Sequence, residues 1–142
     1  MWERDLGGVR VLLVEDDLDC RELFRIVLEL AGATVTTATG AWEGLKLLGE
    51  VRPHVVVSDL SLPDRDGCWL IRSARAAVAR DLPAMVIVTA HADDFTRTRC
   101  LFAGCDAFLG KPVDPIDLCE VVARLAPDVA SLSNGVGART AP

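Results

Sequence analysis

Three short runs constrain this chain more than anything else in it: VLLV at 11–14, VVV at 55–57 and MVIV at 85–88. Each is apolar at every position, so both of its faces need cover. A strand with one face in water would alternate apolar and polar side chains instead. Strands covered on both sides belong to largely parallel sheets flanked by helices. The runs are also far shorter than the roughly 18 apolar residues of a membrane span.

The segments between the runs supply the cover. Cys20, Leu23, Phe24, Val27, Leu28 and Ala31 fall on one helical face, and Gly32 closes it. The whole pattern reads as strands at 10–14, 34–38, 54–58, 84–88 and 107–109. Helices are expected at about 20–31, 41–49, 68–79, 93–103 and 114–125, with Asp114 as N-cap and Pro115 at the first position of the last. SLPDRDG, residues 61–67, is a loop of turn residues. Such alternation predicts an α/β fold with a doubly wound five-stranded parallel sheet and five surrounding helices. Residues 1–8 read as a lead, 9–126 as the domain and 127–142, rich in Gly, Ser, Ala and Pro, as a disordered tail.

A chain of 142 residues suits one domain. Its net charge of −6 argues against direct nucleic-acid binding. The start, MWERDLGG, has no apolar core, so no secretory signal is expected in it. The five cysteines are odd in number and form no CxxC pair, which disfavours disulfide and zinc frameworks. They are expected as small core residues in a reducing cytoplasm.

In an open parallel sheet, ligands bind beyond the carboxyl ends of the strands. Strand one delivers Glu15, Asp16 and Asp17 to that edge, strand three Asp59, strand four Thr89 and strand five Lys111. Carboxylates about 4 Å apart repel by roughly 4 kcal/mol at an effective dielectric near 20. A hard cation such as Mg²⁺ relieves that repulsion. A carboxylate is also a nucleophile toward phosphorus, and Lys111 and Thr89 are suited to hold phosphoryl oxygens. Taken singly, Asp17 equally fits a helix N-cap, Phe108 a core residue and His54 an ordinary surface histidine.

VLLVEDD, VVVSDLSLPDRDG, VIVTA and GCDAFLGKP occur in this order. Together they resemble the receiver domain of two-component response regulators, over about residues 9–126. The resemblance implies a flavodoxin-like sheet of order 2-1-3-4-5 and a phosphoacceptor at Asp59. It implies direct Mg²⁺ ligation by Asp17, Asp59 and the backbone carbonyl of Ser61, with Asp16 acting through metal-bound water. Thr89 and Lys111 match the phosphoryl-sensing hydroxyl and the phosphate-binding lysine, and Phe108 the switch aromatic. The Lys111–Pro112 bond is expected to be cis, and His91 and Ser61 to flank the site. Cys100 and Cys105 depart from the family, which often has alanine there, and SLPDRDG departs from a methionine-proline-glycine pattern.

The implied partners are a sensor histidine kinase or phosphotransfer protein and a downstream protein target. Neither nucleic acid nor a membrane span is implied, and a cytoplasmic monomer or weak dimer is expected. The chain would be a phosphoacceptor with slow self-dephosphorylation, not an enzyme acting on other substrates. Four other readings compete. A haloacid-dehalogenase-type phosphatase needs an aspartate where Ser61 stands, and an FMN binder needs a Ser/Thr- or Gly-rich cradle where EDD stands. The others are a receiver-like scaffold independent of phosphorylation and a receiver cut from a hybrid kinase.

Overall fold

The structure, a computed structural model, describes residues 5–78 and 82–127. Its strands are β1 (Arg10–Val14), β2 (Thr34–Ala38), β3 (Val55–Asp59), β4 (Ala84–Thr89) and β5 (Ala107–Gly110). Its helices are α1 (Leu18–Leu30), α2 (Ala41–Val51), α3 (Gly67–Ala77), α4 (Asp94–Ala103) and α5 (Pro115–Leu125). All strand pairs are parallel, in the order β2-β1-β3-β4-β5. The expected doubly wound architecture and strand order are both present. The expected tail at 127–142 lies outside the described residues apart from Pro127, and Ala79, the expected end of α3, lies outside them too. Among the described residues no helix is long and apolar enough to cross a membrane.

Apolar residues on both sides of the strands divide the core in two. Val11, Leu13, Val55, Val57, Val86 and Val88 face one way and pack with α1 and α5. Leu12, Val14, Val56, Met85 and Ile87 face the other way and pack with α2, α3 and α4. This is the period-2 pattern of a strand covered on both sides. The first core also takes in Leu6, ahead of β1, whose N–H bonds the Ala31 carbonyl.

The α1 face differs in part from its sequence reading. Phe24, Leu28 and Ala31 are buried, but Leu23 is 48% exposed, as are Leu18, Ile26 and Leu30 to similar or greater degrees. Apolar residues on α1 therefore occupy more than half of its circumference, and periodicity alone does not say which stripe faces the sheet. Each fully buried side chain of this size contributes about 1.5–3 kcal/mol.

Four helices start on an aspartate whose carboxylate accepts a first-turn N–H: Asp17 for α1, Asp66 for α3, Asp93 for α4 and Asp114 for α5. This satisfies donors that the helix itself leaves unpaired. Helix α2 begins after Gly40 and has no side chain of its own for that role. Asp64, from the loop after β3, reaches across and accepts the N–H groups of Ala41 at 2.8 Å and Trp42 at 2.9 Å. Burial alone would raise the Asp64 carboxyl, but the backbone N–H bonds of Trp42, Ala41 and Arg65 together prevail and hold it below its ordinary range.

Candidate functional site

The strand order reverses direction between β1 and β3, the kind of switch point at which open α/β sheets bind ligands beyond the carboxyl ends. β1 reaches it through Glu15 and β3 through Asp59. Glu15 N–H bonds the Ala38 carbonyl, so the chain stays pinned to β2 one residue past β1. Asp59 is the last residue of β3, paired with Val88, rather than the first residue beyond the strand. Its backbone is then held closely. Leu60 N–H bonds the Val88 carbonyl, Gly67 N–H bonds the Leu60 carbonyl, and a Cβ on Gly67 would lie 2.8 Å from the Asp59 carbonyl oxygen. Only glycine fits at that approach.

Glu15 is 2% exposed and Asp59 8%. One cation serves both: Lys111 Nζ lies 3.0 Å from Glu15 Oε1 and 3.1 Å from Asp59 Oδ2. Lys111 reaches them from the end of β5, where its backbone N–H bonds the Thr89 carbonyl. Ser61 N–H donates to Asp59 Oδ1 at 3.1 Å, and Asp17 N–H to Glu15 Oε2 at 3.1 Å. Burial pushes the Glu15 carboxyl up, against the opposing pull of its Lys111 hydrogen bond. Burial draws the Lys111 ammonium down, but its bonds to Glu15 and Asp59 prevail and hold it above its ordinary value. Two buried carboxylates sharing one ammonium leave net negative charge in a low-dielectric pocket.

Asp16 completes the cluster. Glu15, Asp16 and Asp59 each offer a carboxylate oxygen, and these lie within 4.8 Å of one another. A hard divalent cation prefers such oxygen donors, so the residues present fit Mg²⁺. Asp17, which the resemblance makes a direct ligand, lies outside this trio. Its Oδ2 accepts the Cys20 N–H at 2.8 Å and caps α1. The two acids that stand nearest Asp59 are Glu15 and Asp16, whereas the sequence reading pairs Asp16 with Asp17. Arg21 supports the same turn by donating to the Glu15 and Asp16 carbonyls.

The remaining residues lie around this centre. Thr89 is fully buried at the end of β4, and its Oγ1 accepts the His91 N–H at 3.0 Å. Phe108 is half-buried on β5, with the Arg97 guanidinium 5.7 Å from its ring centre. Ser61 and His91 are exposed. The Lys111–Pro112 peptide is cis. His54 belongs to the opposite edge of the sheet, where its Nδ1 accepts the Arg10 N–H at 2.9 Å. Two site features escaped the sequence reading. One is Glu15 as the lysine-bonded acid. The other is Gly67, whose tight approach to Asp59 is not legible from the turn composition of its loop.

Fold and rim together define an α/β domain with a carboxylate–lysine site at a topological switch point. The family model described as "Response regulator receiver domain" matches residues 11–123. The chain belongs to the response regulator receiver family. It is 38% identical over 117 residues to an uncharacterized 14.6 kDa protein in the sodA1 3′ region of Leptolyngbya boryana, a match covering 82% of this chain and 89% of that one. It is 33% identical to the transcriptional regulatory protein GltR of Pseudomonas aeruginosa, over 84% of this chain and 49% of GltR. The chain thus spans about half the length of GltR. Among solved structures it resembles a CheY-like receiver domain protein from Methanospirillum hungatei, with a TM-score of 0.75, 32% identity, and coverage of 82% of this chain and 91% of that one.

Proposed function

We propose that this receiver domain is a phosphorylation-controlled switch with Asp59 as phosphoacceptor. The observation that carries the reading is the sharing of Lys111 between buried Glu15 and Asp59, beside the third carboxylate of Asp16. Such a rim is short of positive charge and positioned to hold an anionic group once a divalent cation joins it.

Glu15, Asp16 and Asp59 would hold Mg²⁺, with the Ser61 carbonyl as a further donor. The ion, when bound, supplies charge neutralisation for phosphoryl oxygens. An Asp59 carboxylate oxygen attacks the phosphorus of a phosphohistidine or small phosphodonor, and the bond to the donor's leaving group breaks. Lys111 moves with the transferred oxygens, since its Nζ already lies on the acceptor carboxylate. Ser61 N–H keeps Asp59 oriented through Oδ1.

The product carries roughly −1.5 to −2 charge and three acceptor oxygens. Thr89 Oγ1 leaves the His91 N–H, from which it accepts, and its hydroxyl donates to one of those oxygens. The space it leaves admits Phe108, which has no hydroxyl and works by packing alone. The face formed by α4, β5 and α5 then changes. Shifting such an equilibrium from 1:99 to 99:1 needs about 5.5 kcal/mol, of which charge-assisted hydrogen bonds contribute much. The partners are a sensor histidine kinase or phosphotransfer protein upstream and a protein target downstream, in the cytoplasm. The chain is a self-modifying phosphoacceptor, not an enzyme for a separate substrate.

The test is labelling by a small phosphodonor, with and without Mg²⁺. Labelling is expected to need the ion, to vanish in Asp59→Asn and to fall strongly in Asp16→Asn. It is expected to persist in Asp17→Asn, which touches the α1 cap. Undiminished labelling of Asp59→Asn would reject the phosphoacceptor. Loss on Asp17→Asn with retention on Asp16→Asn would return the ion to the later acid pair.

A further inference from the structure

The seam between α3 and α4 holds a chemical group that the rim does not use. Cys68 lies in the first turn of α3 and Cys100 in α4, and both are fully buried in the second core. Their Sγ atoms are in contact at 3.6 Å. The same seam is clamped at its surface by Arg99 and Asp66, 3.1 Å apart. Cys105, just past the end of α4, is buried in the same core. Alanine would fill such a seam with fewer atoms and no reactivity. A touching thiol pair adds two-electron redox chemistry.

We infer that Cys68 and Cys100 are a modification site: a hydroperoxide converts them to a reversible disulfide that ties α3 to α4. One thiol takes an oxygen from hydrogen peroxide, giving a sulfenic acid and water. The neighbouring sulfur then attacks that sulfur and expels the oxygen as a second water. Two thiols and one peroxide thus become one disulfide and two waters, with two electrons passing to the peroxide and the thiol protons leaving in the waters. A dithiol reductant reverses the bond by exchange. Closing the contact from 3.6 Å to a bonded 2.03–2.05 Å requires about 1.6 Å of approach.

Burial, followed by the Cys68 thiol beside it, pushes the Cys100 thiol up to about 12. Cys100 is therefore rarely a thiolate at neutral pH, and both cysteines are fully buried, so peroxide reaches the pair through transient opening of the seam. The bond then holds the seam shut. Helix α3 continues from the loop that leaves Asp59, and α4 from the loop that leaves Thr89. The oxidised form therefore fastens together the two segments that exit neighbouring rim strands. Formation of the bond does not depend on phosphoryl transfer at Asp59.

The experiment treats the full chain with millimolar-range hydrogen peroxide, blocks remaining thiols under denaturing conditions and maps peptides by mass. A Cys68–Cys100 linked pair is expected, lighter by about 2 Da than the two thiols and restored by dithiothreitol. The linked protein should melt roughly 5–10 °C higher, since the bond joins residues 32 apart in sequence. Cys100→Ala and Cys68→Ala should abolish the linked peptide, and Cys105→Ala should leave it. Should those variants not fold, the wild-type map decides alone. A link mapped to Cys105 or Cys20, thiols recovered only as sulfinic or sulfonic acids, thiols left unoxidised, or a linked protein with an unchanged melting temperature overturns the proposal.

Discussion

The two edges of the sheet both gather charged residues, and they use them in opposite ways. At the amino edge, Arg10 spends its guanidinium on backbone. Its Nε donates to the carbonyls of Val51 at 3.2 Å and Arg52 at 3.0 Å, and its Nη2 to Arg52 at 2.7 Å. These carbonyls end α2, where a cation meets the negative end of the helix dipole. His54 serves the same edge by accepting the Arg10 N–H. At the carboxyl edge, Glu15 and Asp59 are buried with one shared ammonium, and Asp16 stands beside them. Charges tied to backbone groups build the fold. Charges left to share a single counter-ion are available for chemistry.

The sharpest way to break that comparison is to remove the shared cation. Lys111→Met leaves two buried carboxylates facing each other, and the ion-free protein should lose about 2–4 kcal/mol of stability in urea unfolding. Added Mg²⁺ should restore part of that loss in the variant. A variant as stable as the parent, or one that Mg²⁺ does not help, would count against the rim as described. Next in size is Gly67→Ala, whose Cβ would meet the Asp59 carbonyl oxygen at 2.8 Å and Ile87 Cδ1 at 2.9 Å. A loss of about 1–3 kcal/mol is expected, together with slower labelling of Asp59.

Substitutions at the amino edge should separate stability from labelling. Arg10→Ala removes the cap on the α2 carbonyls and should cost about 1–2 kcal/mol while the labelling rate stays unchanged. The smallest effect is a pH dependence. Burial, then the charge of Arg10, holds the His54 imidazole below its ordinary 6.5. The unfolded chain therefore binds a proton that the folded chain resists. Stability should fall as pH drops from 6.5 toward the folded value and stay level above 6.5. This slope, read from urea midpoints, should vanish in His54→Asn.

Much of this was legible in the sequence because the informative residues announce themselves locally. Strands covered on both sides must be apolar throughout, so VLLV and VVV specify layer order without reference to distant residues. Asp114–Pro115 marks a helix start by its own geometry. Three consecutive acids carry no such marker. Nothing inside EDD says where the strand's last pinned residue ends and the helix cap begins. Here β2 decides it, by binding Glu15 N–H through the Ala38 carbonyl, so Asp17 falls to the cap. The Lys111–Glu15 bond spans 96 residues and the Gly67–Asp59 approach is set by packing, so neither has a local signature. Leu23 misled for the opposite reason: α1 carries more apolar residues than its buried face can take.

The reach of Asp64 to the first turn of α2 has a consequence for how this chain can change. A helix normally brings its own starting residue, and so can be exchanged as a cassette. Here the start of α2 is on loan from a loop more than twenty positions later, and the lender sits five residues past Asp59. Neither segment can be swapped for a homologous piece without the other, so drift in the SLPDRDG loop and drift in the opening of α2 are bound to a common course.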